Sequence, residues 1–137
     1  MPIQRSILNP DIAPKPLNLY SNAVRVKATE FLYIAGQLCL DSNGNLVGPD
    51  DVAAQIRQVY HNIGLVLQSQ GASFDNVLEF TSYLTKKEYL PIFMETRREV
   101  FASIYQNGQY PPNTLLVVDG LVLPDCKVEI KAVAALA

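Results

Sequence analysis

The strongest periodic signal in the chain is helical. Val52, Ile56, Val59, Ile63 and Val66 recur at spacings of four and three, which places them on one stripe of a helix over residues 52–70. Asp50 or Asp51 can cap its start, and Gly71 supplies the usual stop. His61 lies off the stripe and is expected on the surface. A second helix is predicted over residues 91–105, with Pro91 in its first turn and Phe93, Val100, Phe101 and Ile104 turned inward. Thr85 with Glu88 resembles a capping box, which would move that boundary earlier.

Elsewhere the period is two, or the chain is continuously apolar. Residues 3–8 and 24–28 read as short strands, separated by a segment whose prolines (Pro10, Pro14, Pro16) exclude a helix. Residues 31–38 and 114–118 are apolar runs that predict strands buried on both faces. Asn43-Gly44 marks a turn. Residues 77–84 alternate, with Leu78, Phe80 and Leu84 on one side and Glu79, Thr81 and Tyr83 on the other. Residues 126–136 alternate as well: Cys126, Val128, Ile130, Ala132 and Ala134 form one face, and Lys127, Glu129 and Lys131 the other. This order of elements predicts an α+β domain, one mixed sheet backed by two helices. At 137 residues, without repeat or linker, the chain fits a single domain over residues 1–137.

Composition adds an interface. Apolar residues make up 49% of the chain and mean hydropathy is +0.11. Part of that apolar surface is expected between subunits, so an oligomer is expected. The net charge is −2, and no run of Lys or Arg offers a track for phosphates, so no nucleic-acid partner is expected. Arg97-Arg98, beside Glu95 and Glu99, reads as a solvated helix face. Cys39 and Cys126 lack metal-ligand spacing and His61 is the only histidine, so no metal is expected. The cysteines read as two reduced, mostly buried thiols. Met1-Pro2-Ile3-Gln4-Arg5 lacks a leader's apolar core, and no apolar run reaches membrane-spanning length. The expected location is cytoplasmic, with no membrane partner.

Several short segments, in order, carry a resemblance. They are Leu19-Tyr20-Ser21-Asn22-Ala23-Val24, Ile34-Ala35-Gly36-Gln37, Gly71-Ala72-Ser73 after the first helix, Leu84-Thr85 at a strand end, and Lys127-Val128-Glu129-Ile130. Together they resemble the RidA/YjgF family along essentially the whole chain. The resemblance implies a chorismate-mutase-like fold, a homotrimer, and clefts for a small-molecule ligand where subunits meet. It also implies hydrolysis of reactive enamines or imines with release of ammonia, and no cofactor.

The resemblance further implies site residues. Tyr20 matches a cleft tyrosine and Glu129 the glutamate that positions or activates water; these are the candidate catalytic residues. Gly36, Asn113 and Thr114 are the candidate substrate-binding residues. The family's strand motif Pro-Ala-Arg-Ser/Thr holds a substrate carboxylate, but here it reads Pro111-Pro112-Asn113-Thr114, with Asn113 in place of the arginine. Ala35 replaces a serine, and the loop over residues 119–125 is one residue longer than usual. Losing one partner of a buried charge pair costs about 2–5 kcal/mol, so hydrolysis of ordinary amino-acid imines is expected to be weak or absent. Arg25, Lys27 or Lys127 could compensate; alternatively Asn113 anchors a neutral carbonyl or amide.

Blander roles stand beside these. Glu129 could belong to an exposed ion-pair ladder with Lys127 and Lys131, Tyr20 could merely pack in its loop, Asn113 could only begin a strand, and Gly36 could only allow close backbone approach. Two functions follow: a cofactor-free hydrolase of a C–N substrate other than the usual one, or a non-catalytic trimer binding a metabolite or a protein in the same clefts. An endoribonuclease, a reading attached to the family by older naming, fits an acidic chain least.

Overall fold

The computed structural model describes residues 3–137; Met1 and Pro2, and the leader reading there, lie outside it. The elements follow the expected order. They are β1 (Gln4–Leu8), β2 (Ala23–Lys27), β3 (Glu30–Gln37), α1 (Val52–Ser69), β4 (Val77–Leu84), α2 (Leu90–Ile104), β5 (Asn113–Val117) and β6 (Val128–Leu136). Strands β1 and β2 pair with each other as a separate ribbon. The other four form a mixed sheet of order β3-β6-β4-β5. Strand β6 is antiparallel to both neighbours, and α2 carries the chain across from β4 to its parallel partner β5.

Asp51 caps α1 by accepting the Ala54 N–H, and Gly71 takes the positive φ (+68°) that ends the helical segment. No side chain caps α2; a 3₁₀ turn at Lys87–Tyr89 leads into it, so the Thr85 and Glu88 pattern does not form a cap. Ile56, Val59, Ile63 and Leu67 of α1 are buried against β4 and β6, where Phe80, Leu84, Val128 and Ile130 meet them. Phe101 of α2 lies 6.0 Å from Phe80, ring centre to ring centre. Each such buried side chain contributes about 1.5–3 kcal/mol.

Both helices cover the same face of the sheet. The other face is bare within one chain: Tyr33 is 79% exposed, Phe31 49% and Leu116 45%. This corrects the expectation that β3 and β5 are buried on both sides. The apolar runs are real, but β5 is an edge strand and none of the described residues covers Tyr33, Phe31 or Leu116 on the second face. A register shift between Val77 and Glu79 also brings Val77 into the core, while Leu78 is half-buried. Cys126 precedes β6 instead of opening it. It is buried beside Cys39, both thiols free and their Sγ atoms 3.0 Å apart.

Candidate functional site

On the bare face, Gly36 and Glu129 form one unit. A register shift in β3 between Ile34 and Gln37 places Gly36 at an irregularity beside β6. There the Glu129 side chain folds over it: a Cβ built on Gly36 would stand 2.1 Å from Oε2 and 2.9 Å from Cγ. The carboxylate therefore occupies space that exists only because residue 36 has no side chain. Glu129 is half-buried, directly across from Tyr83 of β4. Among the described residues its carboxylate makes no hydrogen bond or ion pair. Lys127 instead donates to the carbonyls of Pro49 (3.1 Å) and Asp125 (3.4 Å). The Lys–Glu–Lys ladder is thus absent, and Lys127 is committed elsewhere. A cavity of about 370 Å³ lies between the end of β3 and α1, lined by Gly36, Gln37, Leu38, Asn62, Leu65 and Val66 and not by Glu129.

Asn113 lies on the opposite side. It is in register with Phe80, whose ring is in the core, and its Oδ1 accepts from the Oγ of buried Ser82 at 2.8 Å. Its Nδ2 makes no hydrogen bond among the described residues. The early loop runs alongside, with the Ser21 N–H donating to the Pro111 carbonyl (3.4 Å). Tyr20, half-buried in that loop, accepts from the Leu17 N–H at its hydroxyl (3.2 Å). Thr114, paired with Thr81, points the other way, is exposed, and shares the face of Glu129 two strands over. Within one chain, then, the five residues fall into two groups. Gly36, Glu129 and Thr114 share the bare face, while Tyr20 and Asn113 lie toward the helices.

Arg97 corrects the expectation of a solvated helix face. It is 1% exposed, and its guanidinium carbon lies 5.1 Å from the Phe93 ring centre and 5.8 Å from that of Phe101. The cause is spacing. Phe93 and Phe101 stand four residues either side, so Arg97 is on the inward stripe, whereas Arg98 is outside and pairs with Glu95. Nη2 donates to Asn18 Oδ1 (3.1 Å) and contacts Met94 Sδ (3.3 Å). Among the described residues Nε and Nη1 have no hydrogen-bond partner, nor does the buried hydroxyl of Tyr60. Burial pulls the Arg97 pKa down, partly offset by the nearby Tyr60 and Tyr20. Arg25 and Lys27, the other candidate cations, are exposed on the ribbon strand β2.

Among the described residues no group of three or more His, Cys, Asp or Glu side chains could hold a metal ion. No helix is long and apolar enough to cross a membrane.

The profile of the family described as endoribonuclease L-PSP matches residues 11–136. The 3-aminoacrylate deaminase RutC of Acinetobacter baylyi is 32% identical over 130 residues, covering 95% of this chain and 97% of its own. The 2-iminobutanoate/2-iminopropanoate deaminase of Mus musculus is 30% identical over 132 residues, 96% of this chain and 92% of its own. In three dimensions the chain is similar to YyfB, a Rid-family protein of Yersinia pestis, with a TM-score of 0.86 and 30% identity over 96% of this chain and 98% of that one. On its sequence, its fold and the order of its motifs, the chain belongs to the endoribonuclease L-PSP family, which is the RidA/YjgF family.

Proposed function

We propose that this protein is a cofactor-free deaminase that hydrolyses the C=N bond of an imine, or of an enamine after its tautomerisation, and works as a homotrimer. The observation that carries this reading is the Glu129 carboxylate seated over Gly36, half-buried and without a hydrogen-bond or ion-pair partner among the described residues. A structural glutamate in such a place would be paired or hydrogen-bonded. A half-buried carboxylate left without such a partner instead suits a group that takes a proton from water. Water adds to the imine carbon as Glu129 accepts its proton. That proton passes to the nitrogen to give a carbinolamine; the carbinolamine's hydroxyl proton then moves to the nitrogen by way of Glu129 as the C–N bond breaks, and ammonia and a carbonyl compound leave.

The trimer is supported by the bare sheet face and by family membership. Exposed Phe31, Tyr33 and Leu116 need a cover that one chain does not supply. Assembly also gives the two groups of site residues a way to meet, since Tyr20 and Asn113 of one copy can approach Gly36 and Glu129 of the next. Relatives named as deaminases of 3-aminoacrylate and of 2-iminobutanoate support the reaction class. Asn113 sets this chain apart: it offers an amide with a free Nδ2 in place of a guanidinium, which disfavours the imines of ordinary amino acids.

The test is Glu129→Gln, assayed by trapping or hydrolysis of imines generated in situ by an amino-acid oxidase and by amine oxidation. Turnover on the preferred imine is expected to fall by about 10²–10⁴-fold, with binding largely kept. Absence of turnover on every imine by the unaltered protein, together with ligand binding that ignores this change, would establish a non-catalytic binder.

A further inference from the structure

We propose that Arg97 is the anion anchor of this chain, and that it takes the carboxylate of a small organic acid entering between the loop at Pro16, Leu17, Asn18 and Leu19 and the first turns of α2. The argument begins with charge. Arg97 is buried on the inner stripe of α2, and two of its three nitrogens have no hydrogen-bond partner. The groups that act on its charge are tyrosines, Tyr60 and Tyr20; no carboxylate is among them. A desolvated guanidinium without a counter-ion is costly, and chains rarely keep one unless an anion arrives to satisfy it.

Access is the second point. A groove of about 460 Å³ lies between the loop and α2, lined by Leu17, Asn18, Pro91, Met94 and the ion pair Glu95–Arg98; Arg97 lies behind this wall, and Arg98 balances the Glu95 carboxylate. Asn18 and Met94, which form part of its wall, are also the two residues that Nη2 touches. Asn18, which is exposed, and Met94 thus stand between Nη2 and the groove. The Asn18 Oδ1 sits where one carboxylate oxygen would sit. The groove also meets the start of α2, where no acidic residue lies in the first turn and no side chain caps the helix. Leu17, Pro91 and Met94 give the rest of the ligand an apolar wall, which suits a short monocarboxylate.

As a claim about substrate, this inference rests on the deaminase reading: the imine would carry a carboxylate held by Arg97 instead of by the motif position that Asn113 occupies. As a claim about binding it stands alone, so the test is direct binding. The probes are 2-oxobutanoate and its neutral methyl ester, in chloride-free buffer, followed by melting temperature and by the Nε–H resonance of Arg97. The acid, but not the ester, should raise the melting temperature and shift that resonance. Arg97→Met should bind the acid at least about 30-fold more weakly, the low end of what losing one partner of a buried charge pair costs, without lowering the ligand-free melting temperature. Asn18→Asp places a carboxylate on Nη2 within the chain; it should raise the ligand-free melting temperature and exclude the probe. Equal binding of acid and ester, an unmoved Arg97 resonance, or an Asn18→Asp protein that is no more stable and binds as before would overturn the proposal. Probe binding without any imine turnover would leave this site standing and remove the deaminase reading. Turnover of a carboxylate-bearing imine that Arg97→Met leaves intact would do the reverse.

Discussion

Glu129 and Arg97 are the two charged side chains that this fold sets against its own rules, and they do so in opposite ways. Glu129 is half-buried on the bare face, held off by the absence of a side chain at residue 36. Arg97 is fully buried on the covered face, wedged between two phenyl rings. Neither has an oppositely charged partner among the described residues. The contrast teaches that an unpaired charge is left by different means: at Glu129 a space is kept open by glycine, whereas at Arg97 a stacking cradle holds the guanidinium and leaves Nε and Nη1 idle. The first arrangement suits a group that must exchange protons with water, the second one that must grip an anion.

The largest effect is expected from closing the space under Glu129. Gly36→Val leaves the backbone unstrained, since φ at residue 36 is not positive, but its Cβ would fall 2.1 Å from Oε2 and evict the carboxylate. Turnover should drop by about 10²–10⁴-fold, as for loss of a general base, while circular dichroism stays unchanged. Full activity in that variant would show that the carboxylate does not need this seat.

A mixing experiment sharpens the comparison further. If the two groups of residues meet only between copies, Glu129→Gln and Arg97→Met chains, each inactive alone, should regain activity when refolded together. Random assembly in a cyclic trimer leaves about a quarter of the clefts with both native groups. No recovery at all, with mixed trimers shown by mass spectrometry, would place both charges in one subunit's site or in separate ones.

The smallest expected change concerns Tyr60, whose buried hydroxyl is unpartnered. Tyr60→Phe removes that polar atom and should add about 1 kcal/mol in urea unfolding, the low end of the cost of an unsatisfied group. A loss of stability would instead reveal a bound water or anion bridging Tyr60 to Arg97.

Much of the fold was legible because local periodicity and burial coincide. The α1 stripe at Val52, Ile56, Val59 and Ile63 is buried as read, and the β6 alternation puts Val128, Ile130, Ala132 and Ala134 inside. The limits have physical causes. An apolar run such as Phe31-Leu32-Tyr33-Ile34 records that both faces avoid water, yet not whether the same chain covers them; here Tyr33 is open in the monomer. Arg97 was misjudged because its acidic neighbours Glu95 and Glu99 suggested a polar face. Its place four residues from both Phe93 and Phe101 was the better signal. The opposition of Asn113 and Glu129 was also illegible, since it depends on the register of β4 against β5 and β6.

The paired thiols give the protein a built-in clock. Burial, with the contact to Cys126 second, pushes the Cys39 thiol up from its ordinary 9.0 to about 12. Only a thiolate attacks a disulfide reagent, so at neutral pH Cys39 of the folded chain should be almost inert and its labelling should count openings of the segment around it. That segment is fastened by the Val47 N–H donating to the Cys39 carbonyl at 2.8 Å, and slackening this tie should quicken the count. The same shift sets an alkaline limit. The unfolded thiol ionises from about pH 9 while the folded one resists until about 12, so this contribution to stability is whole below pH 9 and drains away as the pH climbs between those values.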